Sequence, residues 1–201
     1  MRILAVSDEI DEQLLELTPP ARASGVNLIL SCGDLSSEYL ESLADRFRVP
    51  LVYVRGNHDG DSGLPGENID GRVVTIAGLR LLGFEGCMWY NGRGVQYTER
   101  EMWWRVLRAR AWAWRARRVD VVVAHASPFG IHDGRDRAHT GYRAFWSVLQ
   151  AFRPRYFVHG HNHLCYVPKS ARITTVNGTQ IVNAYRSIVL ETDASRMART
   201  S

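Results

Sequence analysis

Five short apolar runs in this chain each break off on a residue that can hold a metal or a proton. "ILAVSD" stops at Asp8, "LILSCGD" at Asp34 and "LVYVRGNHD" at Asn57, His58 and Asp59. "VVVAH" stops at His125 and "FVHGHNH" at His159, His161 and His163. Such runs, bounded by polar breaks, read as buried strands. Helical segments lie between several of them: "SSEYLESLADRF", with Ser36 or Ser37 as its cap, a long one from Thr98 to about Arg118, and one from about Gly141 to Phe152. Strands alternating with helices predict a parallel sheet, whose carboxyl edge is where ligand sites form.

The remaining segments complicate a purely parallel sheet. A strand from Arg2 to Val6 precedes a helix-like stretch, Glu12 to Leu17, stopped by Pro19-Pro20. "RVVTIAG" and "LRLLGF" read as an antiparallel pair, followed by the glycine-rich loop "GCMWYNGRGVQ". The end, "LCYVPKS", "ARITTVNGTQIVNA" and "RSIVLE", reads as an antiparallel meander with Asn177-Gly178 as a hairpin turn. The expected fold class is α/β, with two packed mixed β-sheets flanked by helices. A chain of 201 residues accommodates this as one domain over 1–191, with 192–201 as a flexible tail.

Composition narrows the classes. Apolar content of 45% and charged content of 23% describe an ordinary globular protein. The net charge of +4 favours anionic partners such as phosphate esters, and is too small to identify a nucleic-acid binder. Cys32, Cys87 and Cys165 have no metal or redox spacing and read as reduced thiols of a cytosolic protein. Acidic residues arrive too early in "MRILAVSDEIDEQ" for a signal peptide, and no apolar run spans a bilayer. The expectation is a cytoplasmic protein with no membrane partner.

Asp and Asn oxygens with imidazole nitrogens suit divalent ions such as manganese, iron or zinc. "GD" and "GNHD" are also ordinary turn sequences, and a lone strand-end histidine is more often structural than ligating. Five coincidences of that kind would be needed at once, so a metal site is the better reading.

In order, "D-x-x … GD … GNHD … H … GHxH" resembles the calcineurin-like metallophosphoesterase superfamily, from Asp8 to His163. "GVQYTEREM", "HASPFGIHD" and "VHGHNH" are similar to its small bacterial phosphoesterases. The resemblance implies a β-sandwich flanked by helices and two divalent ions, manganese first, with iron, zinc, nickel or magnesium as alternatives. Asp34 would bridge them, Asn57, His125 and His161 would complete one position, and Asp8 with His163 would hold the other. His58 would stabilise developing charge or protonate the leaving oxygen, with Asp59 orienting its ring. His159 is expected to be structural or to support a ligand from behind. Where the family has "D-x-H", this chain has Asp8-Glu9-Ile10. Ile10 cannot ligate, so Asp11, Glu9 or water would fill the gap, or the first position binds weakly.

The loop "GIHDGRDRAHTG" after His125 brings His132, Asp133, Arg135, Asp136, Arg137 and His139 toward a substrate rim, and Arg93 in "WYNGRG" offers a guanidinium to phosphate oxygens. In the long helix, Met102, Trp103, Val106, Leu107, Ala113 and Trp114 share one face and read as core. Trp104 and Trp112 fall among arginines, where packing under a loop, self-association into a homo-oligomer and nucleic-acid contact are the readings in that order. Arg110 points toward the apolar stripe without an evident partner. The leading function is hydrolysis of a small phosphomonoester or phosphodiester. The alternatives are a non-catalytic interaction scaffold, as for the retromer subunit that resembles these enzymes, and a nuclease.

Overall fold

The computed structural model describes residues 1–18, 20–60, 63–116, 118–164 and 172–192, the side chains of 112–116 excepted. The "LCYVPKS" strand beyond Leu164, the tail 193–201 and the Trp112 side chain lie outside the described residues.

Two sheets carry the fold. The first joins β1 (Arg2–Ser7), β2 (Leu28–Ser31), β3 (Leu51–Tyr53), β4 (Glu67–Asn68) and β13 (Arg186–Glu191), in the order β13-β1-β2-β3-β4. The second contains β5 (Val73–Ile76), β6 (Leu79–Phe84), β9 (Val121–Ala124), β10 (Tyr156–His159), β11 (Ile173–Val176) and β12 (Thr179–Asn183), in the order β11-β12-β10-β9-β6-β5. In both, a parallel centre is finished by antiparallel strands: β13 on β1, and β5 and β11 at the edges of the second sheet.

The apolar runs are continuous because both faces of the central strands are buried. Ile3, Ala5, Leu28 and Leu30 point inward and meet Leu81, Val121, Val123 and Val158 of the second sheet. Their neighbours Leu4, Val6 and Ile29 point outward, under α1 (Ser37–Phe47). On the far side Leu82, Phe84, Val122 and Phe157 are covered by α2 (Glu99–Ala116) and α3 (Ala144–Phe152). Truncating one of these fully buried leucines to alanine would cost roughly 2–5 kcal/mol.

The helices start where the sequence provides caps. Ser36 Oγ accepts from Tyr39 N at 3.3 Å. At α2, Thr98 and Glu101 cap reciprocally: Thr98 N donates to Glu101 Oε2 at 2.7 Å, and Glu101 N to Thr98 Oγ1 at 3.2 Å.

Four expectations are corrected. The final strands form a hairpin and a crossover rather than a meander: β12 already has neighbours on both sides, so β13 leaves and pairs with the open edge of β1. Residues Glu12–Leu15 make only a 3₁₀ turn. The loop "GCMWYNGRGVQ" contains two short paired strands, β7 (Cys87–Met88) and β8 (Gln96–Tyr97). Finally, α2 buries Met102, Val106 and Ala109, while Trp103 and Leu107, expected in the core, are exposed, as is Trp104, expected off that face. The packed face is set by where α3 lies, and Arg110 finds its partner there, Nη1 donating to Ser147 Oγ at 2.7 Å.

Candidate metal centre

The strand ends converge on one rim of the sandwich. After β1 the backbone turns into the left-handed region at Asp8 (φ 67°), and does the same after β2 at Asp34 (φ 58°) and after β10 at His161 (φ 66°). Each such non-glycine conformation is worth about 1–3 kcal/mol of strain, and their clustering marks a functional edge. The loops also pass at contact distance: a Cβ on Gly56 would lie 2.1 Å from Asp34 Oδ1, so "GNHD" needs its glycine to lie against "GD".

His125, wholly buried, is the centre of the arrangement. Its Nδ1 is 2.7 Å from Cys32 O. A carbonyl only accepts, so the hydrogen sits on Nδ1 and Nε2 turns toward Asn57 Oδ1 at 3.0 Å and Asp34 Oδ2 at 3.4 Å. The Asn57 amide is held in that sense by a long contact from Nδ2 to Tyr90 Oη, 3.5 Å. Three lone-pair atoms thus face one another with no donor between them unless a cation is supplied. Burial alone would lower the His125 pKa, but the Asp34 carboxylate and its hydrogen bond raise it to about 9. Either a proton on Nε2 or a divalent ion supplies the positive charge between these atoms. Asp34 is the counterpart: burial pushes it up, yet His125 and the backbone N–H of His58, 2.8 Å from Oδ1, pull it down to about 2.

His161 adds a fourth donor atom. The ligating atoms of Asp34, His125 and His161 lie within 4.8 Å of one another. His161 Nε2 lies 2.8 Å from Ala138 O and so carries the hydrogen, leaving Nδ1 bare. Burial, then the charge on His125, lower its pKa to about 3, so the ring stays neutral as ligation requires. These residues fit a divalent ion.

Asp8 and His163 sit to one side. Both Asp8 oxygens accept from the His161 backbone N–H, at 3.0 and 2.9 Å, and His163 Nε2 is 4.0 Å from Asp8 Oδ1. Burial raises the Asp8 pKa. Neither candidate for filling the gap left by Ile10 turns inward. Glu9 is held by the Tyr185 hydroxyl and Arg186, and Asp11 by the Ser187 hydroxyl and by Arg22 at 2.8 Å.

His58 is exposed, and its backbone N–H donates to Asp34 Oδ1. Asp59 is not seen to orient its ring: Asp59 Oδ2 accepts instead from Gly56 N at 2.7 Å and Asp34 N at 2.9 Å, locking the two ligand loops together. Two expected rim residues also belong to the fold. His132 is buried, with Nδ1 3.0 Å from His159 Nε2 and Nε2 2.8 Å from Thr174 Oγ1. Asp133 Oδ2 accepts from Gly130 N and Gly141 N, at 2.9 and 3.2 Å, closing its own loop. His139 does reach the centre, stacked on His161 with ring centroids 5.0 Å apart, and Arg93 lies exposed on the loop touching Asn57. Sequence reasoning missed Tyr90 and the carbonyls of Cys32 and Ala138. A backbone carbonyl leaves no trace in residue identity, and Tyr90 is visible only as an aromatic in a glycine-rich loop.

A candidate metal-ligand set lies on the carboxyl edge of a double-sheet α/β sandwich. Residues 1–165 match the model of the calcineurin-like phosphoesterase family, and the chain belongs to that family. The protein TT1561 of Thermus thermophilus has a similar structure, at 15% identity, with a TM-score of 0.65 over 92% of this chain and 88% of that one. A Vps29 double mutant from Entamoeba histolytica is 15% identical over 97% and 88% of the two chains, with a TM-score of 0.48. At these identities the likeness concerns the fold. Comparison with curated proteins finds none that matches. No described helix is long and apolar enough to cross a membrane.

Proposed function

We propose that the chain is a metal-dependent phosphoesterase that hydrolyses small phosphomonoesters or phosphodiesters. The observation that carries this reading is the convergence of Asp34, Asn57 and His125 acceptor atoms, with His161 beside them, around a place that requires positive charge. Asp34, Asn57, His125 and His161 would hold one ion; Asp8, His163 and Asp34 would hold a second more weakly, because Ile10 offers no ligand. Manganese is the first candidate for this mix of oxygen and imidazole ligands. Bound divalent ions would polarise the phosphoryl group and lower the pKa of a water.

The chain's own residues do the rest. Asp34, pulled far below the ordinary carboxylate range, stays ionised at any working pH. His161 stays neutral, and Asp59 keeps the "GD" and "GNHD" loops in register. His58, exposed and next to the candidate ligand Asn57, would deliver a proton to the leaving oxygen.

The test is metal stoichiometry on the purified protein, with hydrolysis of aryl phosphate mono- and diesters in added manganese. Bound metal, turnover, and its loss in His58→Ala support the reading. No metal and no turnover of either ester class would sink it. They would favour the scaffold reading, for which Ile10 and the outward-tied Glu9 and Asp11 are the observations.

A further inference from the structure

The two loops flanking the candidate metal centre are built alike: each has exposed residues at its tip, braced by hydrogen bonds from side chains to its own backbone. In the first, Gln96 Oε1 gathers three successive backbone N–H groups, of Tyr90 at 3.0 Å and of Asn91 and Gly92 at 3.2 Å. Its Nε2 donates to Asn91 Oδ1 at 2.7 Å and Arg93 O at 2.5 Å. In the second, Asp133 closes the loop, and Asp136 Oδ1 accepts from His139 N at 3.1 Å.

Both loops end on candidate ligands. A Cβ on Gly94 would lie 2.0 Å from Asn57 O, so the first loop rests on Asn57 itself. The second places Ala138 O and the His139 ring against His161. Between them stands Trp89, 39% exposed, with the Arg137 guanidinium 4.9 Å from its ring centroid. Arg93, four residues on, has no carboxylate partner among the described residues. A large apolar ring left in water beside a charged centre, on a loop already paid its ordering entropy, is a recognition surface rather than a packing remnant.

Resting on the phosphoesterase reading, we propose that this rim selects the alcohol part of the ester, and that this part carries a planar aromatic ring. Trp89, with Arg137, stacks on the ring, and Arg93 forks onto the phosphate. Nucleotides are the common natural chemistry of that shape. Tryptophan and guanidinium planes are the usual partners of an unstacked base, and alanine substitution at such a ring typically costs about tenfold or more in affinity.

The experiment is calorimetric titration of the protein, in manganese-containing buffer, with adenosine 5′-monophosphate and with ribose 5-phosphate. The wild type is expected to bind the nucleotide about tenfold more tightly. Trp89→Ala should bring the two ligands level and Trp89→Phe should keep most of the preference. Arg93→Gln should weaken both equally. Hydrolysis of 2-phenylethyl phosphate and 2-cyclohexylethyl phosphate, whose alcohols are of similar acidity, supplies the kinetic counterpart. Equal affinity for the two titrants, or binding of neither, overturns the aromatic subsite. A preference that survives Trp89→Ala overturns its assignment to that residue. Retained discrimination with no ester turned over leaves the subsite standing and removes the hydrolase reading instead.

Discussion

The two candidate metal positions differ in how completely the fold prepares them. At the deeper one, Asn57, His125 and His161 are buried and Asp34 nearly so. There a carbonyl fixes the tautomer of each histidine, and Tyr90 fixes the sense of the amide. At the outer one Asp8 is buried, but its oxygens are shared with the His161 backbone, and His163 keeps 35% of its side chain in solvent. Ile10, which offers no ligand atom, is 44% exposed. Donors held in their ligating orientation before the ion arrives bind without reorganisation. On the phosphoesterase reading the deeper position would therefore take up metal first, and the outer one would respond to engineering.

The largest effect falls on both positions together. Asp34→Asn removes the charge both share and should lower metal affinity and kcat/KM on the order of 10³-fold, the several kcal/mol that metal-ion charge stabilisation is worth. His163→Ala should leave the first equivalent of manganese bound and weaken only the second. Calorimetric stoichiometry of both variants decides this; equal losses would erase the distinction between the positions.

Ile10→His sharpens it from the other side. Restoring an imidazole at the outer position is expected to tighten the second ion about tenfold, ~1.4 kcal/mol, and to leave the first unchanged. Coupling between two manganese ions in electron paramagnetic resonance, present in the variant at concentrations where the native chain shows one isolated ion, is the signature to look for.

Acid probes the structure behind the outer position, where β10 is tied to His132 through His159. Burial lowers the His132 pKa, with Asp133 opposing weakly. A histidine kept neutral in the fold takes up its proton in the unfolded chain first, so the His132 contribution is flat above about pH 6.5 and destabilises as pH drops below it. The slope from one such group is at most about 1.4 kcal/mol per pH unit. Urea midpoints of the native chain and of His132→Gln, compared at pH 7.5 and 5.5, isolate this share: the variant should lose less on acidification.

This contrast also shows what was legible in the sequence. The strand ends were, because central strands buried on both faces write uninterrupted apolar runs, and the polar residue that breaks each run is placed at the edge by the strand itself. Loop residues were not. His132, Asp133 and Asp59 are the same residue types as the candidate ligands, and only tertiary contacts assign them to Thr174, Gly130 and Gly56. The face of α2 went astray for a related reason: an exposed Trp103 and a buried Met102 are one residue apart, and the helix rotates to suit α3.

The smallest predicted effect bears on the deeper position's preparation. Tyr90→Phe removes only the hydroxyl 3.5 Å from Asn57 Nδ2, leaving the ring in its place against the core. If that contact keeps Asn57 Oδ1 facing His125, its loss lets the amide rotate and turn Nδ2, which cannot ligate, toward the place of the ion. A hydrogen bond of this kind is worth about 0.5–1.5 kcal/mol, so manganese affinity at the first equivalent should fall by roughly two- to tenfold. The fall should be independent of substrate, which separates Tyr90 from the rim residues around it. In Asn57→Asp, where no amide remains to rotate, adding Tyr90→Phe should change nothing further. A full additional loss there would mean that Tyr90 acts on the ion's surroundings other than through the Asn57 amide and that the deeper position is less preorganised than its hydrogen bonds imply.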